Sequence, residues 1–220
     1  MPLTADVKAE LITVRDPRPT ARVAELTALL RFSGGLHSIA NRVAVEAELD
    51  SDILARRVAR DLMELYGVRP ELHHVQGSGG RTGGHFAVRV IEAGETLARQ
   101  TGLLDQRRRP VRGLPNKLTT GSRPDLSAIW RGAFLASGTL SDPGRSAALE
   151  ISCPSSEAAM ALVAPVTASA SPQRPARCAA CPASSCATAR RSAAPCTRWV
   201  RVAPRGSGTR CVSAARCAPA

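Results

Sequence analysis

The sequence predicts an α+β domain with pseudo-twofold symmetry, an incomplete second repeat and a disordered tail. The first observation is an internal repeat, in which residues 29–59 align without a gap on residues 133–163, at a constant offset of 104 positions. The second is that each copy reads as an apolar helix ended by glycine, followed by a turn, a short strand and a second helix. A repeat of this length indicates two halves of one domain rather than a solenoid. The third observation is a sharp change of composition after Val163.

The net charge of +12 suggests a nucleic-acid binder, but the charge is unevenly distributed. Residues 164–220 contain nine Arg and no Lys, Asp or Glu, whereas the first 163 residues contain 21 basic and 18 acidic side chains. The tail also has no Leu, Ile, Met, Phe or Tyr. Because it cannot bury enough apolar surface to offset the entropy of ordering, we expect it to be disordered on its own.

Six of the seven cysteines lie in this tail, and Cys178-x-x-Cys181 has the spacing of two thiolates that share one tetrahedral metal. One explanation is a zinc or iron–sulfur knuckle on an Arg-rich nucleic-acid arm. However, no second Cys-x-x-Cys and no His follows, which favours a shifted reading frame. The chain has 28 Arg and only two Lys, which indicates GC-rich coding DNA. Translation of such DNA in a wrong reading frame gives mostly Ala, Arg, Pro, Ser and Cys and no acidic residues, as in this tail. We therefore predict no metal site and no cofactor. Translation of the coding DNA in its other frames would distinguish the two explanations.

No apolar run reaches the roughly 20 residues that a membrane span needs, and the segment from Met1 to Lys8 lacks the pattern of a signal peptide. The sequence therefore predicts a cytoplasmic protein without a membrane or small-molecule partner.

The patterns divide the chain into five segments. They are residues 1–19, an N-terminal helix and linker; 20–101, the first repeat; 102–124, a basic connector; 125–163, the start of the second repeat; and 164–220, the tail, which is predicted to be out of frame.

Apolar periodicity predicts the elements of the first half. They are a helix Thr4–Val14 with Thr4 as its N-cap, a helix Thr20–Phe32 ended by Gly34 and Gly35, a strand Arg42–Leu49, a helix Ile53–Tyr66, strands Glu71–Gln76 and Gly84–Ile91, and a short helix Gly94–Thr101. The second half repeats the pattern with a helix Leu126–Ala136, a turn Ser137–Gly144, a strand Ser146–Cys153 and a helix from Ser155 onward.

The two glycine-ended helices are predicted to pack against each other at a pseudo-dyad, with Trp130, Phe134 and Phe32 in the core. Small residues near the helix ends would permit close approach: Ser33, Gly34, Ala136 and Gly138. Since the second repeat is incomplete, we expect the apolar faces around Ala148, Ile151 and Leu162 to lack partners and the chain to be poorly stable.

This arrangement resembles the LAGLIDADG homing-endonuclease fold, in which two such helices pack beneath a DNA-straddling sheet saddle. Active members place a carboxylate near each helix end to hold metal at the scissile phosphates. Aligned on Gly34 and Gly138, the equivalent positions here are Ser33 and Ser137, and neutral hydroxyls are poor Mg²⁺ ligands. The resemblance therefore implies a degenerate motif, no catalytic residue and no enzyme activity.

Several separate stretches resemble the WhiA family of sporulation and cell-division transcription regulators from Gram-positive bacteria. They are Thr4–Leu11, Leu29–His37, Gln100–Asp105, Arg109–Pro115, Trp130–Ala136 and Ser141–Ser146. The resemblance implies a DNA-binding, nucleoid-associated regulator with double-stranded DNA as its partner and a WhiB-type iron–sulfur regulator as a second one. Family members add a C-terminal helix-turn-helix domain, which is absent from this sequence as written.

The candidate phosphate contacts are basic residues of the connector and of one glycine-rich loop, because clustered Arg gives bidentate phosphate contacts and releases counterions. They are Arg107, Arg108, Arg109, Arg112 and Lys117 in the connector and Arg81 in the loop. The alternatives are a solvated linker for the connector and a plain hairpin turn for Arg81. Two other functions stay open at this point: a metal-dependent endonuclease, and an interaction module whose tail binds zinc.

Overall fold

Two long helices lie at the centre of the molecule, and each leads directly into a β-sheet. The computed structural model describes residues 2–39, 42–75, 84–140, 149–169, 197–204 and 211–216, and side chains are described only up to Val163. Within these ranges the α+β class and the two related halves predicted from the sequence are confirmed.

The first half contains four helices and four strands. They are α1 (Pro2–Thr13), α2 (Pro19–Ser33), β1 (Gly34–Ile39), β2 (Arg42–Leu49), α3 (Asp52–Tyr66), β3 (Glu71–Val75), β4 (His85–Val90) and α4 (Gly94–Gln100). Gly67 ends α3 with a left-handed φ of 66°, a conformation that favours glycine, and its N–H donates to the Met63 carbonyl.

The remaining elements are α5 (Asn116–Thr119), α6 (Arg123–Ser137), β5 (Gly138–Leu140), β6 (Leu149–Cys153), α7 (Ser156–Ser169), β7 (Thr197–Pro204) and β8 (Cys211–Arg216). The start of α6 is fixed by Asp125, whose carboxylate accepts hydrogen bonds from the backbone N–H and the hydroxyl of Ser122. These bonds lower the pKa of Asp125.

The two sheets begin with the same strand register. The first sheet has the order β1-β2-β4-β3, with all neighbours antiparallel, and the second has the order β5-β6-β7-β8. Gly34 pairs with Ala47 in the first sheet, and Gly138 pairs with Ile151 in the second. Each partner is displaced by the same 104 positions, so the sequence repeat is a structural repeat.

The glycines after α2 do not form the turn that the sequence predicted. Gly34 and Gly35 begin β1, and in the second half Gly138 begins β5. The cause lies at Gly34, where a Cβ atom would come within 3.0 Å of the Glu46 backbone. Glycine therefore lets the chain run straight from the helix into a strand packed closely on β2.

A second correction concerns Thr4, which was predicted to be an N-cap. The helix already begins at Pro2, and Thr4 lies inside it. Its hydroxyl oxygen instead accepts a hydrogen bond of 3.0 Å from the Leu140 N–H, which ties α1 to the end of β5.

The second sheet is extended by two tail strands. β7 pairs with β6 in parallel, and β8 pairs with β7 in antiparallel orientation. The tail was predicted to be disordered on its own. β7 receives backbone hydrogen bonds from β6, and β8 receives them from β7. Residues 164–169 belong to α7, and the other tail residues, including Cys178 and Cys181, lie outside the described residues.

The apolar faces of the second repeat have partners, contrary to the sequence-based expectation. Ile151 and Leu162 are fully buried in the same core as α2 and α6, while Ala148 lies outside the described residues. The reason is that β6 and α7 fold back onto α6 and complete its apolar surroundings.

The pair α2–α6 forms the centre of the core, as the sequence predicted. Phe32 and Phe134 are buried there, and Trp130 is partly buried. A close approach lies in mid-helix, where a Cβ atom on Gly132 would come within 3.0 Å of the Glu25 carbonyl oxygen. By contrast, the two glycines at the helix ends, Gly34 and Gly138, do not face the partner helix. A Cβ atom on Gly138 would meet Phe134 of its own helix.

A buried ion cluster joins the same two helices to α3. The Glu25 carboxylate, only 5% exposed, binds the Arg131 guanidinium of α6 at 2.5 Å and the Arg57 guanidinium of α3 at 2.6 Å. Arg57 also lies 3.7 Å from Asp61, which accepts a hydrogen bond from Arg22 at 2.6 Å. Both oxygens of Glu25 are thus compensated, as a buried carboxylate requires.

The close approach at Gly132 can be tested by Gly132→Ala. The added methyl group must push α6 away from the Glu25 backbone, so we expect the free energy of unfolding in urea to fall by about 1–3 kcal/mol. Gly35→Ala is the matched control, because no atom lies within 4 Å of a Cβ there. Equal unfolding midpoints for G132A and the unchanged protein would contradict this packing.

Candidate nucleic-acid interface

Both central helices end in a serine whose hydroxyl is engaged locally. The Ser33 Oγ, 2% exposed, donates to the Leu29 carbonyl at 2.8 Å, and the Ser137 Oγ donates to the Ser152 carbonyl at 2.7 Å. Neither hydroxyl forms a hydrogen bond with a described side chain that could act as a base, and neither supplies the negative oxygen that a divalent cation prefers. Both hydroxyls are therefore satisfied by backbone carbonyls of the protein.

One of the two carboxylates on β2, that of Glu46, is also engaged. Glu46 accepts hydrogen bonds from Arg89 Nε at 3.0 Å and from Arg89 Nη2 at 3.1 Å, and this guanidinium lowers the pKa of the Glu46 carboxyl. The pair therefore stabilises the fold above the unfolded pKa of Glu46, and this contribution is lost as pH falls through the lowered folded value. Within the described ranges, no group of three or more His, Cys, Asp or Glu could hold a metal ion.

The basic connector folds into a hairpin rather than an open linker. We call residues 103–112 the basic hairpin. Its arms are joined by a bridge between Leu104 and Pro110 and by a 2.9 Å hydrogen bond from the Val111 N–H to the Leu103 carbonyl. At the tip, the Arg108 N–H donates to the Asp105 carbonyl at 3.1 Å. The connection is a turn followed by a left-handed residue, a common hairpin geometry.

That left-handed residue is Arg108, with φ at 61°, in a position that usually favours Gly or Asn. The conformation costs about 1–2 kcal/mol for a residue with a side chain. Two hydrogen bonds hold it: the Asp105 N–H donates to the Arg109 carbonyl at 2.9 Å, and the Asp105 Oδ1 accepts the Arg109 N–H at 2.7 Å. The tip is therefore a fixed structure.

The hairpin presents three consecutive exposed arginines from a buried base. Leu103 and Leu104 are at most 5% exposed, whereas Arg107, Arg108 and Arg109 are all exposed. Arg108 binds Glu95 of α4 at 2.6 Å. Arg107 and Arg109 form no ion pair with any residue that the structure describes, so both guanidinium groups remain available for an anionic partner.

The other three residues that were predicted to contact phosphate lie outside this tip. Arg112 is at the base of the hairpin, with its side chain 80% exposed and its Nη1 3.7 Å from Glu157. Lys117 is exposed on α5, and Arg81 lies outside the described residues. The structure thus brings four of the six predicted residues together in one hairpin.

Sequence reasoning missed the residue that anchors the hairpin. Arg31, near the end of α2, donates a hydrogen bond to the Arg112 carbonyl, which also accepts the Ser155 hydroxyl at 2.7 Å. Burial lowers the pKa of the Arg31 guanidinium. Only the folded contact reveals this role, because nothing in the sequence links Arg31 to a residue 81 positions away.

The fold and the serine-ended helices define the class of protein: a LAGLIDADG-like α+β domain without carboxylates at its two motif positions. The structure is similar to a crystal structure of the N-terminal LAGLIDADG domain of DUF199/WhiA, with a TM-score of 0.54, 16% identity, and coverage of 75% of this chain and 73% of that one. It is also similar to full-length DUF199/WhiA from Thermatoga maritima, with a TM-score of 0.53, 16% identity, and coverage of 74% and 49%.

The chain belongs to the WhiA family. Residues 19–104 match the WhiA N-terminal LAGLIDADG-like domain, and residues 126–168 match the WhiA LAGLIDADG-like domain. Over 163 residues the chain is 67% identical to the probable cell division protein WhiA of Clavibacter michiganensis, covering 74% of this chain and 50% of that protein. The chain therefore spans about half the length of this relative.

In the part of the chain that is described, no helix has both the length and the apolarity to cross a membrane.

The packing role of the motif serines can be tested at Ser33. Ser33→Ala removes one internal hydrogen bond and we expect a loss of about 1 kcal/mol in the free energy of unfolding. Ser33→Asp places a carboxylate against the Leu29 carbonyl and we expect a loss on the order of 3 kcal/mol. Urea unfolding with and without Mg²⁺ measures both. A stabilisation of S33D by Mg²⁺ would contradict a packing role, because it would reveal a surviving metal site.

Proposed function

We propose that this chain is a non-catalytic, DNA-binding regulator of transcription in sporulation and cell division, which contacts the phosphate backbone of double-stranded DNA through the basic hairpin. The observation that carries the proposal is the fixed tip at Arg107, Arg108 and Arg109. Phosphate contacts need cations that are exposed, clustered and held at fixed spacing. The tip meets these conditions, and Arg112 adds a fourth exposed cation at its base.

The geometry favours a regulator over a metal-dependent endonuclease. Cleavage of a phosphodiester with metal assistance requires carboxylates that bring the cation to the reacting phosphate. Ser33 and Ser137 occupy the two motif positions, and their hydroxyls donate to backbone carbonyls. The nearby Glu46 is held by Arg89. No observation on the described residues favours the alternative of a zinc-binding module.

Membership of the family supports the wider part of the proposal. Its relatives carry the name cell division protein, and this chain shares half of their length. The proposal therefore includes a location at the nucleoid and a WhiB-type iron–sulfur regulator as a second partner. We further propose that residues 164–220 are translated out of frame, because no Asp, Glu, Leu, Ile, Met, Phe or Tyr occurs after Val163.

The role of the hairpin arginines can be tested with Arg107→Ala, Arg108→Ala and Arg109→Ala combined in one variant. Fluorescence anisotropy of a labelled duplex, titrated at several salt concentrations, gives the slope of log K against log salt. We expect weaker binding to all duplex sequences alike, and a slope smaller by about 1 for each phosphate that the variant no longer binds.

The matched control removes the same charge elsewhere, through Arg60→Ala, Arg69→Ala and Arg123→Ala, which are also exposed arginines. If the control lowers the slope as much as the hairpin variant does, the effect reflects net charge alone and the proposed interface is wrong. Absence of duplex binding in the unchanged chain would contradict the proposed function itself.

A further inference from the structure

The first sheet ends in an exposed edge strand. β3 is the outermost strand, paired on one side with β4, and all five of its residues are exposed. No described strand lies on its other side. An edge of this kind presents a row of backbone N–H and carbonyl groups that can pair with another strand.

β3 has two of the features that usually protect an edge, because it is short and Pro70 precedes it, but it lacks others. Its sequence, Glu71-Leu72-His73-His74-Val75, contains no Lys or Pro. Leu72 is 49% exposed and Val75 is 39% exposed, and these are two of the six exposed large apolar side chains among the described residues. Burial of Leu72 against a partner would therefore be favourable.

The strand is already held in the conformation that pairing requires. Leu72 pairs with Val88 and His74 with Phe86 across the β3–β4 ladder. The rings of His74 and Phe86 pack with their centroids 4.9 Å apart. A partner strand would thus bind a preformed edge, and little ordering entropy would oppose its addition.

We propose that β3 is a self-association edge, on which β3 of a second copy of this chain pairs in antiparallel orientation with Leu72 facing Leu72 of the other copy. In this register Glu71 of each copy lies opposite His73 of the other, on the same face of the sheet. Opposite-charge and polar pairs across antiparallel strands stabilise a sheet, and two such pairs form by symmetry.

The chemistry of the strand selects this register. Glu71 and His73 already lie on one face, with Glu71 Oε2 3.1 Å from His73 Nε2. Centring the two strands on His73 instead would place two histidines together and set each Glu71 against an apolar Val75. Centring on Leu72 forms a cluster of two carboxylates and two imidazoles on one face of the sheet and an apolar Leu72 pair on the other face.

The pairing is short, because Pro70 precedes the strand and has no N–H to donate. The interface is therefore small and belongs to the weak, reversible class. We expect a monomer at low concentration and a dimer that accumulates at high concentration. This edge is independent of the basic hairpin, so the inference does not rest on the proposed DNA binding.

The test is sedimentation velocity of the full chain under reducing conditions, which keep tail cysteines from cross-linking, at concentrations from about 5 to 300 μM, the range expected for weak association. We expect the weight-average mass to rise from that of the monomer toward that of the dimer. Leu72→Lys, which places two ammonium groups opposite each other, should keep the mass at the monomer value throughout. Met160→Lys is the control, because Met160 is a 70% exposed apolar side chain on α7, and it should leave the rise unchanged.

A charge exchange tests the register. Glu71→Arg alone sets Arg against His73 of the other copy, and His73→Glu alone sets two carboxylates together, so each should reduce dimerisation. The double variant restores an Arg–Glu pair at both positions and should recover the dimer. Thermal melts of every variant confirm that the fold is retained.

Three results would overturn the proposal. A monomer mass over the whole range excludes self-association. Association that Leu72→Lys leaves intact, or that Met160→Lys abolishes equally, places the contact on another surface. Loss of association in the charge-exchanged double variant excludes the register.

Discussion

The contact between α2 and α6 is the constraint on which the rest of the structure depends. Gly132 lets the two backbones approach closely, and Glu25 then joins Arg131 of α6 to Arg57 of α3 inside the contact. Burial of a carboxylate is costly unless each oxygen is compensated, so the cluster tolerates one arrangement of the three helices and disfavours shifted ones. Both sheets take their positions from this pair, because β1 and β5 leave the ends of α2 and α6 directly.

The same contact explains why the fold does not require carboxylates at the ends of its two central helices. Packing at the dyad depends on the middle of the helices, whereas Ser33 and Ser137 lie at the ends, where strand entry needs only a small residue followed by glycine. Each serine hydroxyl donates a hydrogen bond to a backbone carbonyl. The connector between the repeats forms a hairpin with exposed guanidinium groups at its tip.

The sequence predicted most of this fold because periodic burial leaves a clear pattern. The strand Arg42–Leu49 was predicted with the bounds that β2 has, since Val43, Val45, Ala47 and Leu49 alternate with polar residues. Repeat alignment likewise identified α2 and α6 as partners. It could not identify β1, because a glycine pair after a helix has the same local signature whether the chain turns or continues into a strand.

Interactions between distant residues were beyond sequence reasoning. Glu25 and Arg131 are 106 positions apart, and neither departs from an ordinary helix pattern. The basic residues of the connector were recognised by charge, but their hairpin was not, because Arg108 adopts a left-handed conformation without the glycine that usually signals it. Arg31, which anchors that hairpin, was missed for the same reason as Glu25.

The most direct test of this account is a double-mutant cycle between Glu25 and Arg131, measured by urea unfolding of Glu25→Ala, Arg131→Ala and the variant that carries both. If the buried pair holds the two halves together, the sum of the stability losses in the two single variants will exceed the loss in the double variant. The difference, which is the coupling free energy, should be above about 1 kcal/mol. Additive losses would contradict the account, because they would mean that α2 and α6 dock without this interaction.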